Sequence, residues 1–131
     1  ESMPDQYKTV SLEEFVEYSK SMFAYWTEDD FAASFRKMLT IEQFRSEEMQ
    51  GLYQQYLSSG PATYVKDLFE SMGIAHAEEN AVRFYATMYF YYSVYDGADD
   101  KEKVKNEFAS AISNMAQEWI KQPKLTQIRK S

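Results

Sequence analysis

Cysteine is absent from this chain of 131 residues, and histidine occurs only once, as His76. Without cysteine the chain has no disulfides, thiolate metal sites or cysteine nucleophile. A carboxylate-bridged di-iron bundle needs two Glu-x-x-His motifs, which one histidine cannot supply. His76 falls in a predicted loop, so we interpret it as a surface or capping residue, with a catalytic role as the less favoured alternative.

Glycine and proline are scarce, with four and three residues, so the chain lacks the turn signals of a sandwich or barrel of short strands. No apolar run reaches eighteen residues, and no basic-then-apolar segment opens the sequence. We therefore expect neither a membrane span nor a signal peptide, and a cytoplasmic location.

Acidic residues outnumber basic ones, and the net charge is −7. We therefore do not expect this chain alone to bind the phosphate backbone of a nucleic acid. The one basic cluster lies in the tail, and we interpret it as a solvated terminus: Lys121, Lys124, Arg129 and Lys130.

Large aromatic rings are abundant, because eleven Tyr and nine Phe bring the aromatic fraction to 17%. Rings of this size must be buried somewhere, and the chain length suits one domain. These features predict an all-α bundle of about six antiparallel helices. We expect a lead-in segment over 1–10, a helical domain over 11–122 and a tail over 123–131.

Capping signals place the first three helices. Ser11 with Glu14 forms a capping box for a helix that runs to about Trp26. Thr27, followed by three acidic residues, is predicted as the N-cap of the second helix, and Ser46 as the start of the third.

Glycine and proline divide the second half of the chain. Gly60-Pro61 separates the third helix from the fourth, and Gly73 ends the fourth in a left-handed conformation. The fifth helix is predicted over 77–95. A capping box of Asp99 and Glu102 then opens a sixth, which runs to about Gln122.

The fifth helix is aromatic or apolar on two opposite faces. One face carries Ala81, Tyr85, Met88, Tyr89 and Tyr92, and the other carries Thr87, Phe90, Tyr91 and Val94. Such a helix is either enclosed by the rest of its own chain, or packs one face inward and the other against a second subunit.

The sixth helix carries a continuous apolar stripe, and six helices cannot easily cover it together with both faces of the fifth. We therefore favour a homodimer in which the last two helices form a four-helix seam, over a monomer with a filled core. The candidate interface residues are Thr87, Phe90, Tyr91, Val94, Val104, Phe108, Ala111, Ile112, Met115 and Trp119.

Aromatic and methionine side chains from five helices could converge on an apolar pocket, the usual lining of a small-molecule site. The candidates are Phe23, Trp26, Phe35, Met38, Tyr53, Tyr56, Tyr64, Tyr85, Met88 and Tyr89. The alternative is that these side chains simply fill the core.

Catalytic motifs are missing: there is no G-x-S-x-G, no Walker loop, no G-x-G-x-x-G and no H-E-x-x-H. The acidic clusters fall at predicted helix N-termini, where the helix dipole accounts for them without a metal. We expect no enzyme activity, no cofactor and no metal site.

The succession of motifs resembles the regulatory domain of tetracycline-repressor (TetR) family transcription factors. The first stretch that carries the resemblance is FRKMLTIEQFRSEEMQGLYQQYLSSGPATYVKDLFESMG, residues 35–73. The second, FYATMYFYYSVYDGADDKEKVKNEF over 84–108, resembles the two dimerisation helices of the family and the turn between them. The similarity covers roughly residues 11–120.

The resemblance implies a homodimer with an effector pocket in each subunit, for which we expect a small hydrophobic or aromatic effector. The family's DNA-binding element is an N-terminal helix-turn-helix, and nothing before Ser11 could form one. We therefore expect this chain to contact DNA only through a missing domain. The alternative is a helical interaction or structural bundle with a filled core and no effector.

Overall fold

The structure, a computed structural model, describes residues 11–121. The predicted lead-in over 1–10, the tail over 123–131 and Gln122 at the end of the domain lie outside the described residues. Within them the chain forms six helices and no strand, so the predicted all-α bundle is confirmed. The helices are α1 (Leu12–Glu28), α2 (Asp30–Glu42), α3 (Glu47–Leu57), α4 (Ser59–Ser71), α5 (Ala77–Asp96) and α6 (Lys101–Lys121).

Several predicted caps are confirmed. The Ser11 hydroxyl accepts a hydrogen bond from the Glu14 N–H at 3.1 Å, and the Glu14 carboxylate accepts one from the Ser11 N–H at 2.9 Å. Ser46 caps α3 by accepting from the Met49 N–H. Gly73 has a φ of 79°, the left-handed conformation expected just beyond α4.

Two predicted caps are wrong by one or two residues. Thr27 lies inside α1 and donates its hydroxyl to the Phe23 carbonyl, while Asp29 caps α2 by accepting from the Ala32 N–H. At α6 the capping carboxylate is Asp100, not Asp99. In both places neighbouring residues were suitable caps, and tertiary packing decides where the helix begins.

The core is a layer of rings between α1, α4, α5 and α6. Phe15 of α1 contacts three other rings, those of Phe69, Phe84 and Trp119, at centroid distances of 4.9–6.1 Å. Farther along α1, Phe23 stacks on Phe108 of α6 at 4.3 Å. A smaller cluster between α2 and α3 contains Leu39, Tyr53 and Leu57.

The apolar stripe of α6 packs into the core of its own chain. Val104, Phe108, Ile112 and Trp119 are all buried, Phe108 to 1% exposure. These four candidate interface residues therefore do not lie on the surface of the chain. Helical periodicity identifies the stripe but does not say whether it meets the chain's own core or a partner.

Of the two aromatic faces of α5, the one that carries Ala81, Tyr85, Met88 and Tyr92 lies in the core, and Tyr89 on the same face is half-buried. In the part of the chain that the structure describes, no helix combines the length and apolar character that a membrane crossing requires.

Candidate functional site

A cleft of about 270 Å³, partly open to solvent, lies between α1, the α3–α4 junction and α5. We call it the aromatic cleft. It is lined by Phe15, Tyr18, Ser19, Met22, Trp26, Gln55, Tyr56, Gly60, Pro61, Tyr64, Val65, Phe84, Tyr85, Met88 and Tyr92.

Helical spacing places these side chains on common faces. On α1, Tyr18, Met22 and Trp26 recur every four residues, so they form one row along the cleft. On α5, Tyr85, Met88 and Tyr92 do the same with spacings of three and four. Each helix therefore contributes a wall.

The α3–α4 junction forms the third side of the aromatic cleft. A Cβ atom placed on Gly60 would lie 2.1 Å from the Gln55 carbonyl oxygen, so only glycine permits this approach of the two backbones. The close junction brings Tyr56 of α3 and Tyr64 of α4 to the same opening.

The floor and the mouth of the aromatic cleft differ in exposure. Phe84, Tyr85, Met88 and Tyr92 are buried and form the floor, whereas Tyr18, Tyr56 and Tyr64 are between 41% and 46% exposed. Half-exposed rings around a buried apolar floor are the arrangement that a ligand with aromatic or aliphatic groups would complete.

Most polar groups of the floor already have partners within the protein. The Tyr85 hydroxyl donates to the Leu57 carbonyl at 2.5 Å, and the Ser19 hydroxyl donates to the Phe15 carbonyl at 2.8 Å. The Tyr92 hydroxyl makes no hydrogen bond within residues 11–121. No fully buried polar side-chain atom of these residues lacks a partner, so this hydroxyl keeps contact with open space although the residue is only 3% exposed.

The aromatic cleft is electrically neutral at ordinary pH. None of the described residues that line it carries a charge. Burial raises the pKa of both Tyr85 and Tyr92 above tyrosine's usual value, and outweighs the positive charge of Arg36, which lowers it. Both phenols therefore stay protonated.

Arg36 lies directly behind the aromatic cleft. Its guanidinium is 4.8 Å from the centre of the Tyr92 ring, within the range of a cation–π contact. It donates to the Trp26 carbonyl at 3.0 Å and to both oxygens of the Asp96 carboxylate at 3.0 and 2.8 Å. Two cleft residues, Trp26 and Tyr92, are thus linked to the C-terminal end of α5.

The structure brings half of the predicted pocket residues together. Trp26, Tyr56, Tyr64, Tyr85 and Met88 line the aromatic cleft. Phe23 does not, because its ring lies in the core between Tyr92 and Phe108.

The other four predicted pocket residues do not line the cleft, and three of them belong to or pack against the α2–α3 cluster: Phe35, Tyr53 and Tyr89. Phe35 packs edge-on against Tyr56, and Met38 is exposed on α2. The hydroxyls of Tyr53 and Tyr89 bond to each other, and burial together with that bond raises the pKa of Tyr89 to about 12.

Sequence reasoning missed several cleft residues, of which Tyr92 matters most. Its position on the same face of α5 as Tyr85 and Met88 was the available signal. Gly60 and Pro61 were identified only as a helix break, although they line the cleft.

The remaining candidate interface residues lie at the surface. Phe90 of α5 is 61% exposed. The others are partly exposed, three on α5 and two on α6: Thr87, Tyr91, Val94, Ala111 and Met115.

Within residues 11–121 no three histidine, cysteine or acidic side chains are grouped so that they could hold a metal ion. Comparison with known proteins gives no match to a protein-family model, a curated protein or a solved structure.

Proposed function

We propose that this chain is the effector-binding and dimerisation domain of a TetR-like transcriptional regulator, and that its effector is a small hydrophobic or aromatic molecule. The observation that carries the proposal is the aromatic cleft, whose walls come from four helices. The resemblance of residues 35–73 and 84–108 to the family's regulatory domain supports it.

The apolar, ring-rich lining of the cleft favours a binding role. A space of about 270 Å³ is close to the lower end of the roughly 300–1,000 Å³ of small-molecule pockets. The ring walls have no protein atoms against the side that faces the cleft, and a bound ligand would supply those dispersion contacts.

Dimerisation through α5 and α6 is the second part of the proposal. Phe90 exposes most of its ring and contacts Tyr91, which is only partly covered, as are Val94 on α5 and Met115 on α6. A second copy of the chain would cover this surface by a two-fold arrangement, in which the same residues meet on both subunits.

The Arg36 network offers a route from the effector to the dimer. A ligand that contacts Trp26 or Tyr92 alters the packing around Arg36, which holds the C-terminal end of α5 through Asp96. In a TetR-like dimer the separation of two helix-turn-helix domains must match half-sites about 34 Å apart. An effector that prefers one arrangement shifts the population towards it.

The experiment is a thermal-shift screen with uncharged and charged aromatic compounds. A ligand of the folded state must raise the melting temperature. Met22→Trp should abolish the shift, because Met22 is half-buried on the wall and a larger ring would fill the cleft. Met49→Trp is the matched control, since Met49 is equally half-buried but outside the cleft.

One observation favours the alternative of an interaction bundle without an effector. The α2 helix and the turn after it expose three large apolar side chains, those of Phe31, Ile41 and Phe44. Exposed apolar patches commonly mark protein contacts. If no compound in the screen raises the melting temperature, the effector proposal fails and the interaction bundle is favoured.

A further inference from the structure

The lining of the aromatic cleft restricts the charge of its ligand. A carboxylate or phosphate would lose its hydration in the cleft and find no cationic side chain among the described lining residues. A cation would find ring faces, but Arg36 already occupies one face of Tyr92, and no carboxylate among the described lining residues would offset the lost hydration. An uncharged molecule avoids both costs.

The Tyr92 hydroxyl determines where the ligand needs a polar atom. This hydroxyl makes no hydrogen bond within residues 11–121 and touches open space, since no fully buried polar side-chain atom there lacks a partner. Tyr92 lines the cleft, so we place that free hydroxyl at its floor. A phenol can donate and accept, so either a hydroxyl or a carbonyl on the ligand would serve. The hydroxyls of Tyr85 and Ser19 already have partners, which leaves the Tyr92 hydroxyl as the one that a ligand on the cleft floor can bond to.

The volume and the aromatic walls of the cleft restrict the size and the ring content of the ligand. A cleft of about 270 Å³ with Trp26, Tyr56 and Tyr64 around it suits one or two rings, which gain most from edge-to-face or offset contacts.

We infer that the effector is an uncharged aromatic molecule of one or two rings, with one hydroxyl or carbonyl group that hydrogen-bonds to Tyr92. The inference rests on the proposed effector site and names the class of molecule that occupies it.

Four probes that share one ring system test the inference: naphthalene, 2-naphthol, 2-naphthoate and a naphthyl-trimethylammonium ion. We expect 2-naphthol to bind about three- to tenfold more tightly than naphthalene, the increment of one hydrogen bond. The two ions should bind at least tenfold more weakly than 2-naphthol. Calorimetric titration of the intact chain gives the four dissociation constants.

The variant Tyr92→Phe isolates the hydrogen bond. It should bind naphthalene within about twofold of the original affinity and lose the advantage of 2-naphthol. Tyr95→Phe makes the same change one helical turn away on α5, outside the cleft, and should keep that advantage. The ratio of the two ligands is measured within each variant, so a general loss of stability cannot imitate the result.

Each outcome bears on the inference. Binding of either ion as tight as that of 2-naphthol would overturn it and leave the effector site intact. The inference is also overturned, with the effector site intact, if Tyr92→Phe still binds 2-naphthol more tightly than naphthalene. The same conclusion follows if only charged compounds raise the melting temperature and Met22→Trp abolishes that rise. If no compound binds at all, the proposed function fails and the inference fails with it.

Discussion

Arg36 is the one strongly buried charge in the described part of the chain, with an exposure of 4%. Its guanidinium fits both carboxylate oxygens of Asp96 and the carbonyl of Trp26, so its positive charge is paired and hydrogen-bonded. A buried ion pair of this kind adds little stability compared with apolar side chains of the same volume. Removing only one partner, however, leaves the other charge buried and unpaired.

Asp96→Ala should therefore destabilise the fold by about 2–4 kcal/mol, because the buried guanidinium loses its counter-charge. The double variant Arg36→Met with Asp96→Ala should recover at least half of that loss, since no buried charge remains. Urea unfolding measures both free energies. Glu79→Ala removes an exposed partner of Arg83 and should cost under about 1 kcal/mol. A double variant as unstable as Asp96→Ala would contradict the explanation.

At the scale of helices, the close packing of the α3–α4 junction depends on one residue without a side chain, Gly60. Gly60 approaches the Gln55 carbonyl so closely that a Cβ atom has no room, whereas a Cβ atom on Gly51 would meet nothing within 4 Å. The two glycines lie on either side of the junction, one held against another backbone and one in the exposed surface of α3.

Gly60→Ala should destabilise the protein by about 1–3 kcal/mol, because the two helices must move apart to admit the methyl group. Since Gly60 lines the aromatic cleft, ligand binding should weaken as well. Gly51→Ala should stabilise the protein by about 0.5–1 kcal/mol, the gain from replacing glycine in a helix interior. Thermal unfolding separates the two, and equal effects of both substitutions would refute this view of the junction.

Helix types and most helix limits were predictable because they depend on local signals. The capping box of Ser11 and the left-handed Gly73 need only a few neighbouring residues. Thr27 misled the prediction because two plausible caps stand close together, and its hydroxyl bonds within α1 instead. The stripe of α6 was identified correctly, but what it faces depends on the other helices.

The cleft was less predictable than the fold, because it depends on how three segments meet. Trp26, Tyr56 and Tyr85 were identified as aromatic residues on inward faces, and all three line it. Phe23 shared that pattern and fills the core instead, since its position on α1 points it at α6. Periodicity gives the face of a helix, but not whether a neighbour fills the space before it.

At the scale of the whole molecule, the proposed dimer predicts a specific response to charge on the outer face of α5. Phe90→Glu should convert the dimer to a monomer in sedimentation, because two carboxylates would meet at the two-fold interface and lose hydration there.

Phe31→Glu is the matched control, because Phe31 is also an exposed phenylalanine but lies on α2. It should leave the association unchanged. Phe108→Glu, by contrast, would test folding, since that ring is buried inside its own chain. If Phe31→Glu dissociates the dimer and Phe90→Glu does not, the subunits meet through α2, and α5 keeps its aromatic outer face for another purpose. If the original chain is a monomer at every concentration, the dimer is refuted, and the effector site must be tested without it.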